Sequence, residues 1–200
     1  MAQPTARPVA NPAPLGLLGF GITTLVLSLW NSNLFGSNLT GDAALPLALI
    51  FGGGAQLLAG MWEFHAGNTF GATAFTGFGA FWISFYFLLT QGFAAHAGSF
   101  GVATYLLGWT IFTGILTFGA WRVNAVTGSL FSLLFLTFLA LTLDSQVGYG
   151  VLGTNSTLLH QVGGYLGIVT AVNAFYNAAA AILKDLAGKD VLPVFPVGGK

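Results

Sequence analysis

The chain has 200 residues, 5% of them charged and 55% hydrophobic, with zero formal net charge and a mean hydropathy of +0.81. Ordinary globular chains carry about 25% charge, so this balance excludes both a soluble domain and a disordered one. Five Lys+Arg cannot track a phosphate backbone, and the lack of Cys removes disulfides, thiol nucleophiles and thiolate metal sites, which leaves an integral membrane protein.

Residues 1–10 read as a flexible N-terminal segment that carries Arg7. The first apolar span covers about 12–30, opened by Asn11-Pro12-Ala13-Pro14, where Asn11 can cap and the prolines fit the first turn. Reading this span as a cleaved signal would leave five spans and no exported domain to justify it. The second span, 43–62, tolerates Pro46 in its first turn, then runs through Gly52-Gly53-Gly54 to Gln56 and ends beside Glu63, an interfacial carboxylate. In Gly67-Asn68-Thr69-Phe70-Gly71 the glycines free the chain to turn, and Asn68 or Thr69 can cap the third span, 70–89. The fourth span is 100–120, and a polar break at Arg122–Asn124 separates it from the fifth, 126–143. The sixth, 158–183, is the least apolar because of Asn173, Tyr176 and Asn177, and 185–200 forms a C-terminal tail. A hydrocarbon core about 30 Å thick takes about 20 residues of helix, so each segment is a helix length rather than a barrel strand.

The predicted fold is therefore all-α, six transmembrane helices in one pore domain spanning 11–184. Arg7, Arg122, Lys184, Lys189 and Lys200 fall on the side shared by the termini, whereas Asp42, His96 and Asp144 fall on the other. The positive-inside rule then makes both termini cytoplasmic. The sequons Asn38-Leu39-Thr40 and Asn155-Ser156-Thr157 are chance matches, or a helix cap in the second case.

Polar residues inside spans are costly unless paired or wetted. Thr and Ser can bond their own helix backbone, which leaves Gln56 and Asn173 as candidates either for interhelical hydrogen bonds or for lining a pore. Gly67/Gly71 and Gly163/Gly167 have the spacing of close helix packing. No span carries Lys, Arg or Asp near its middle, so a central proton-binding carboxylate and a fixed cation are both missing. A charged solute would have to be stabilised by amides, hydroxyls and helix N-termini, with the starts at Asn11 and Asn68 available, though ordinary capping explains them more simply. His65, His96 and His160 fall by three different loops without ligand spacing, Ser129 with His160 makes no hydrolase motif, and no metal or cofactor is expected.

Asn11-Pro12-Ala13-Pro14-Leu15-Gly16-Leu17 followed by Gly19-Phe20-Gly21 resembles the signature of the acetate uptake transporter family. The likeness continues through Phe51 to Gly60, Glu63, Gly67 to Phe75, Phe81-Trp82, the Ser132-Leu133 region and Val191-Leu192-Pro193. That resemblance implies a plasma-membrane protein (the inner membrane in a Gram-negative cell) that passes acetate and similar small monocarboxylates, with succinate a further candidate. It also implies a homo-hexamer in the lipid bilayer with a pore in each subunit, no cofactor and no nucleic-acid partner. Passive anion conduction and proton-coupled symport both stay open, and a non-transporting scaffold or sensor is the distant alternative. The family's hydrophobic constriction maps onto Phe20, Phe78 and Leu133, with Phe78 standing where the family pattern has Tyr. Candidates for the substrate path are Asn11, Thr24, Asn31, Gln56, Glu63, Asn68, Thr69, Thr73 and Asn173.

Overall fold

In hydrocarbon each backbone N–H and C=O has to find its partner within its own segment, and helices do that without help from neighbours. The computed structural model describes residues 9–39, 41–146 and 157–197, and all its regular elements are helical. Arg7, Thr40 of the first sequon, Asn155-Ser156 of the second, and Lys200 lie outside the described residues. Helix α1 (Ala13–Asn31) starts where the Asn11 side chain accepts from the Ala13 N–H at 3.0 Å. The second membrane segment, Gly41–His65, is composite: a 3-10 turn (Gly41–Ala43), α2 (Ala44–Leu49), a π-helical stretch (Ile50–Ala55) and α3 (Gln56–His65). Three consecutive glycines at 52–54 offer no side chains to resist the wider π turn. α4 (Thr69–Thr90) follows Gly67, a left-handed residue at φ 77°, and Asn68 caps it by accepting from the Gly71 N–H at 3.1 Å. Gly67 thus serves the turn rather than helix packing.

α5 (Phe93–Val123) begins ahead of the apolar span read at 100–120 because it joins two helices across a kink at Gly98, whose φ 65° and ψ −179° are not helical. α6 (Ala125–Gln146) is capped by Asn124, whose Oδ1 accepts from the Thr127 N–H at 2.7 Å. α7 (Leu158–Ala187) is capped by Thr157 and stops at left-handed Gly188. Among the described residues six helical segments are long and apolar enough to cross a bilayer, and the chain is a multi-pass membrane protein.

α1 packs along α7 and against the π stretch, α5 lies on α6, α6 on α7, and α3 on α4. Some of these approaches leave no room for a side chain. A Cβ on Gly79 of α4 would stand 2.7 Å from the Leu57 nitrogen of α3, and one on Gly164 of α7 would collide with the Ser32 backbone beyond α1. Hydroxyl pairs add polar links, with Thr110 to Thr142 at 3.0 Å between α5 and α6 and Ser84 to Tyr105 at 2.8 Å between α4 and α5.

Arg122, Lys184 and Lys189 gather at the end where α1, α4 and α6 begin. The C-terminal residues do not hang free at that end. The Phe195 carbonyl accepts from the Ala125 N–H at 2.9 Å, the Tyr176 hydroxyl donates to the Pro193 carbonyl at 2.8 Å, and Lys184 pairs with Asp190 at 2.8 Å. Within the segment read as a tail, residues 192–195 form a strap across the first turn of α6.

Gly79→Ala, which forces α3 and α4 apart, should cost about 1–3 kcal/mol of stability. Gly108→Ala, with open space around its Cβ, should be neutral or slightly stabilising. Melting of the detergent-solubilised proteins compares the two, and equal midpoints would remove the backbone-contact explanation.

Candidate functional site

Four cavities follow one another through the bundle and share wall residues at each join. The first lies at the Lys184 end, with an empty volume of about 610 Å3, walled by Asn124, Thr127, Asn177, Lys184, Asp190 and the strap residues Leu192 and Val194. The second, about 470 Å3, shares Ala13, Leu17, Thr127 and Asn177 with it and adds Glu63, Asn68 and Gly71. The third is the smallest at about 240 Å3, and its wall includes Phe20, Gln56, Phe78, Phe131 and Leu134. Beyond it the fourth widens to about 370 Å3 among Thr24, Ser28, Asn31, Trp82, Thr137 and Phe138. The empty space is pinched in the middle and widens toward both ends.

Aromatic packing makes the pinch. The rings of Phe20 and Phe78 meet at 5.8 Å, and Phe78 also touches Phe112 at 5.4 Å, Phe131 at 6.1 Å and Phe138 at 6.4 Å. Phe78 is 2% exposed, so it is wedged by rings from α1, α5 and α6 rather than free to swing. Leu134 walls both the third and fourth cavities, whereas Leu133 is half-buried and is not among the residues walling these cavities. Successive helical residues are rotated by about 100°, so a slip of one position takes the side chain off the axis.

Several polar atoms in these walls have no partner among the described residues. They are Thr24 Oγ1 and Trp82 Nε1 at the fourth cavity, Gln56 Oε1 at the third, and Glu63 Oε1 at the second. A buried polar atom left unpaired is expensive, which makes such atoms natural contacts for water or a passing solute. Glu63 is not the interfacial carboxylate its position at a span end suggests. It is 2% exposed, and its Oε2 accepts from Asn68 Nδ2 at 2.8 Å.

Asn31 also reaches the far end of the path, where a polar cluster is buried. His160 Nδ1 lies 3.0 Å from Asp144 Oδ2, and its Nε2 lies 3.2 Å from Asn31 Oδ1. The Thr157 hydroxyl donates to the other Asp144 oxygen, and Trp30 stands edge-on to the imidazole at 5.9 Å. The spans read from the sequence put Asp144 and His160 at the two ends of one connection, sixteen residues apart, and nothing in that spacing pairs their side chains. The signal available was that each closes or opens an apolar helix at the same face.

The remaining candidates stand elsewhere. Thr69 and Thr73 are exposed, and the Thr73 hydroxyl donates to the Thr69 carbonyl at 2.8 Å, so both turn away from the interior. Asn173 binds Ser129 through Nδ2 at 2.9 Å and Asn177 through Oδ1 at 2.9 Å, which leaves Asn177, one turn later, to wall the path. Asn11 is exposed and caps α1. Ser129 near the start of α6 and His160 near the start of α7 lie at opposite ends of the bundle.

A family model described as the GPR1/FUN34/yaaH family matches residues 1–197. The chain is similar to the succinate-acetate/proton symporter SatP of Escherichia coli (strain K12), with 35% identity over 189 residues covering 93% of this chain and 95% of the symporter. It is similar to acetate permease A of Emericella nidulans, with 40% identity over 207 residues covering 94% of this chain and 67% of the permease. Among solved structures, that of the bacterial acetate channel SatP matches with a TM-score of 0.83 at 33% identity, covering 93% of this chain and 99% of that one.

Removing one member of a buried hydrogen-bonded pair leaves the other unsatisfied, at about 1–3 kcal/mol. Asp144→Ala should therefore lower stability by that amount, and adding His160→Phe should recover part of it. A double variant no more stable than the single one, in detergent melting, would show that the loss does not come from the stranded imidazole.

Proposed function

The chain belongs to the GPR1/FUN34/yaaH family, and we propose from that membership that it passes acetate and similar small monocarboxylates, succinate included, across a membrane. The observation that carries this reading is the series of four cavities pinched at the Phe20–Phe78 contact. The pore domain is 11–184, each subunit holds its own path, and the subunits form a homo-hexamer in the plasma membrane. Strongly exposed apolar residues such as Phe118 (82%) and Phe100 (76%) suit contact with lipid or with neighbouring subunits. Arg122, Lys184 and Lys189 favour placing their end, with both termini, in the cytoplasm. Transport requires no enzyme chemistry and no cofactor.

At the narrow level Phe20, Phe78 and Leu134 act as the hydrophobic gate. An anion there loses its water and meets carbon, apart from the side-chain amide of Gln56, whose Oε1 has no partner among the described residues. Hydroxyls and N–H groups wait beyond it on Thr24 and Trp82, which can donate to a carboxylate. The gate therefore separates a donor-rich chamber from one that holds Glu63.

Labelled acetate uptake into proteoliposomes, with succinate, lactate and formate as competitors and protein-free vesicles subtracted, tests the function. Uptake no faster than in protein-free vesicles, with no competition, would sink it. Phe78→Tyr returns the family hydroxyl to the gate. One hydrogen bond worth about 1 kcal/mol to the crossing solute corresponds to about a fivefold faster flux with the fold retained. Equal or slower flux would count against a hydrophobic gate at this position.

A further inference from the structure

We propose that Glu63 is the proton-carrying group of this path, so that each monocarboxylate crosses together with one proton. The inference rests on the monocarboxylate reading above and adds to it the residue that fixes the proton's route.

Three features of Glu63 lead there. Its side chain is buried on α3, in the wall of the second cavity, between the Lys184 end and the phenylalanine gate. One carboxyl oxygen is held and the other is not: Oε2 takes the Asn68 amide at 2.8 Å, while Oε1 has no partner among the described residues. Asn68 cannot turn its amide around, because its own oxygen accepts from the Gly71 N–H at 3.1 Å. The cap of α4 thus keeps Oε2 bonded and leaves Oε1 as the atom available to a solute. Gly71 makes the space, since a Cβ there would stand 2.9 Å from the Glu63 carboxyl carbon.

The surroundings supply no countercharge. The wall residues contributed to this cavity by α1, α4, α5, α6 and α7 include no titratable side chain, and Glu63 is alone in that respect. Lys184 and Asp190 wall the adjoining cavity and are paired with each other at 2.8 Å. An ionised Glu63 would be an uncompensated charge in the way of an anion, whereas a protonated one offers an O–H to it.

A carboxylate entering from the Lys184 end accepts a hydrogen bond from protonated Glu63. The Glu63 O–H bond breaks, its electron pair stays on Glu63, and an O–H bond forms on the solute. The neutral acid passes the phenylalanine level more cheaply than the anion would. Glu63 is then reprotonated by hydronium arriving through the wider cavity at the mouth, which becomes water, so one proton is drawn from that side with each carboxylate. In the other direction the arriving acid gives its proton to ionised Glu63, which releases it to the mouth.

Labelled acetate flux and membrane current are measured on the same proteoliposomes, with protein-free vesicles subtracted, for the unaltered protein, Glu63→Gln and Glu63→Asp. The unaltered protein and Glu63→Asp should carry acetate with far less than one charge per molecule. Glu63→Gln keeps an amide for Asn68 but cannot exchange a proton, so its electroneutral flux should fall at least about tenfold, with any residual flux carrying one charge per acetate. Electroneutral flux in Glu63→Gln equal to the unaltered rate would overturn the proposal. One charge per acetate in the unaltered protein would overturn it too, whether or not the variant folds. No acetate flux from any of the three would remove the functional reading, and the proton site with it.

Discussion

Helix backbones that touch without a side chain between them fix the rest of this structure. Where Gly79 meets Leu57, and Gly19 lies so near the π stretch that a Cβ would stand 2.7 Å from the Phe51 carbonyl, neighbouring helices have no freedom to slide. Phenylalanines from α1, α4, α5 and α6 then fill the remaining core, and their rings set how little space is left at its middle. Close contact at the glycines and bulk at the rings are two sides of one packing problem. In lipid, where apolar surface gains nothing by hiding from its surroundings, such packing is the main source of helix association.

That rigidity decides where polar atoms stand. Most hydroxyls in the spans donate to the carbonyl one turn back, as Thr23 does to Gly19 at 2.8 Å, and so cost the bundle little. Among the buried polar atoms without a partner among the described residues, those of Thr24, Gln56 and Glu63 each stand on a different level of the same path. Asparagine has a task of its own at the Lys184 end, where Asn11, Asn68 and Asn124 each accept from the first turn of a helix. The dipole ends that sequence reasoning offered to an anion are in large part already occupied by the protein's own oxygens.

Element type and number were legible because hydrocarbon thickness imposes one length on every apolar segment, and the charges punctuate those segments cleanly. Direction around each helix was not. Leu133 and Leu134 are equally apolar, and only the packing of α6 decides which faces Phe20. Asn173 and Asn177 lie one turn apart, yet Asn173 is tied to Ser129 while Asn177, bonded to Asn173 and Thr127, stands in the cavity wall. Glu63 reads as a surface carboxylate because it sits five residues before the cap that buries it, and a hydrogen bond from Asn68 has no signature in composition. The Gly98 bend and the π stretch share that character. Glycine marks a place where the backbone can depart from the α-helix, without saying in which way it will.

The bond from Ala125 to the Phe195 carbonyl also bears on the order in which this protein is made. A ribosome delivers α6 some seventy residues before the segment that covers its first turn. During that interval the Ala125 N–H lacks its partner on Phe195, and the cavity beside Lys184 lacks the wall formed by Leu192 and Val194. The six helices can insert and pack as they emerge, but the mouth of the path takes its final form only once synthesis has passed Phe195.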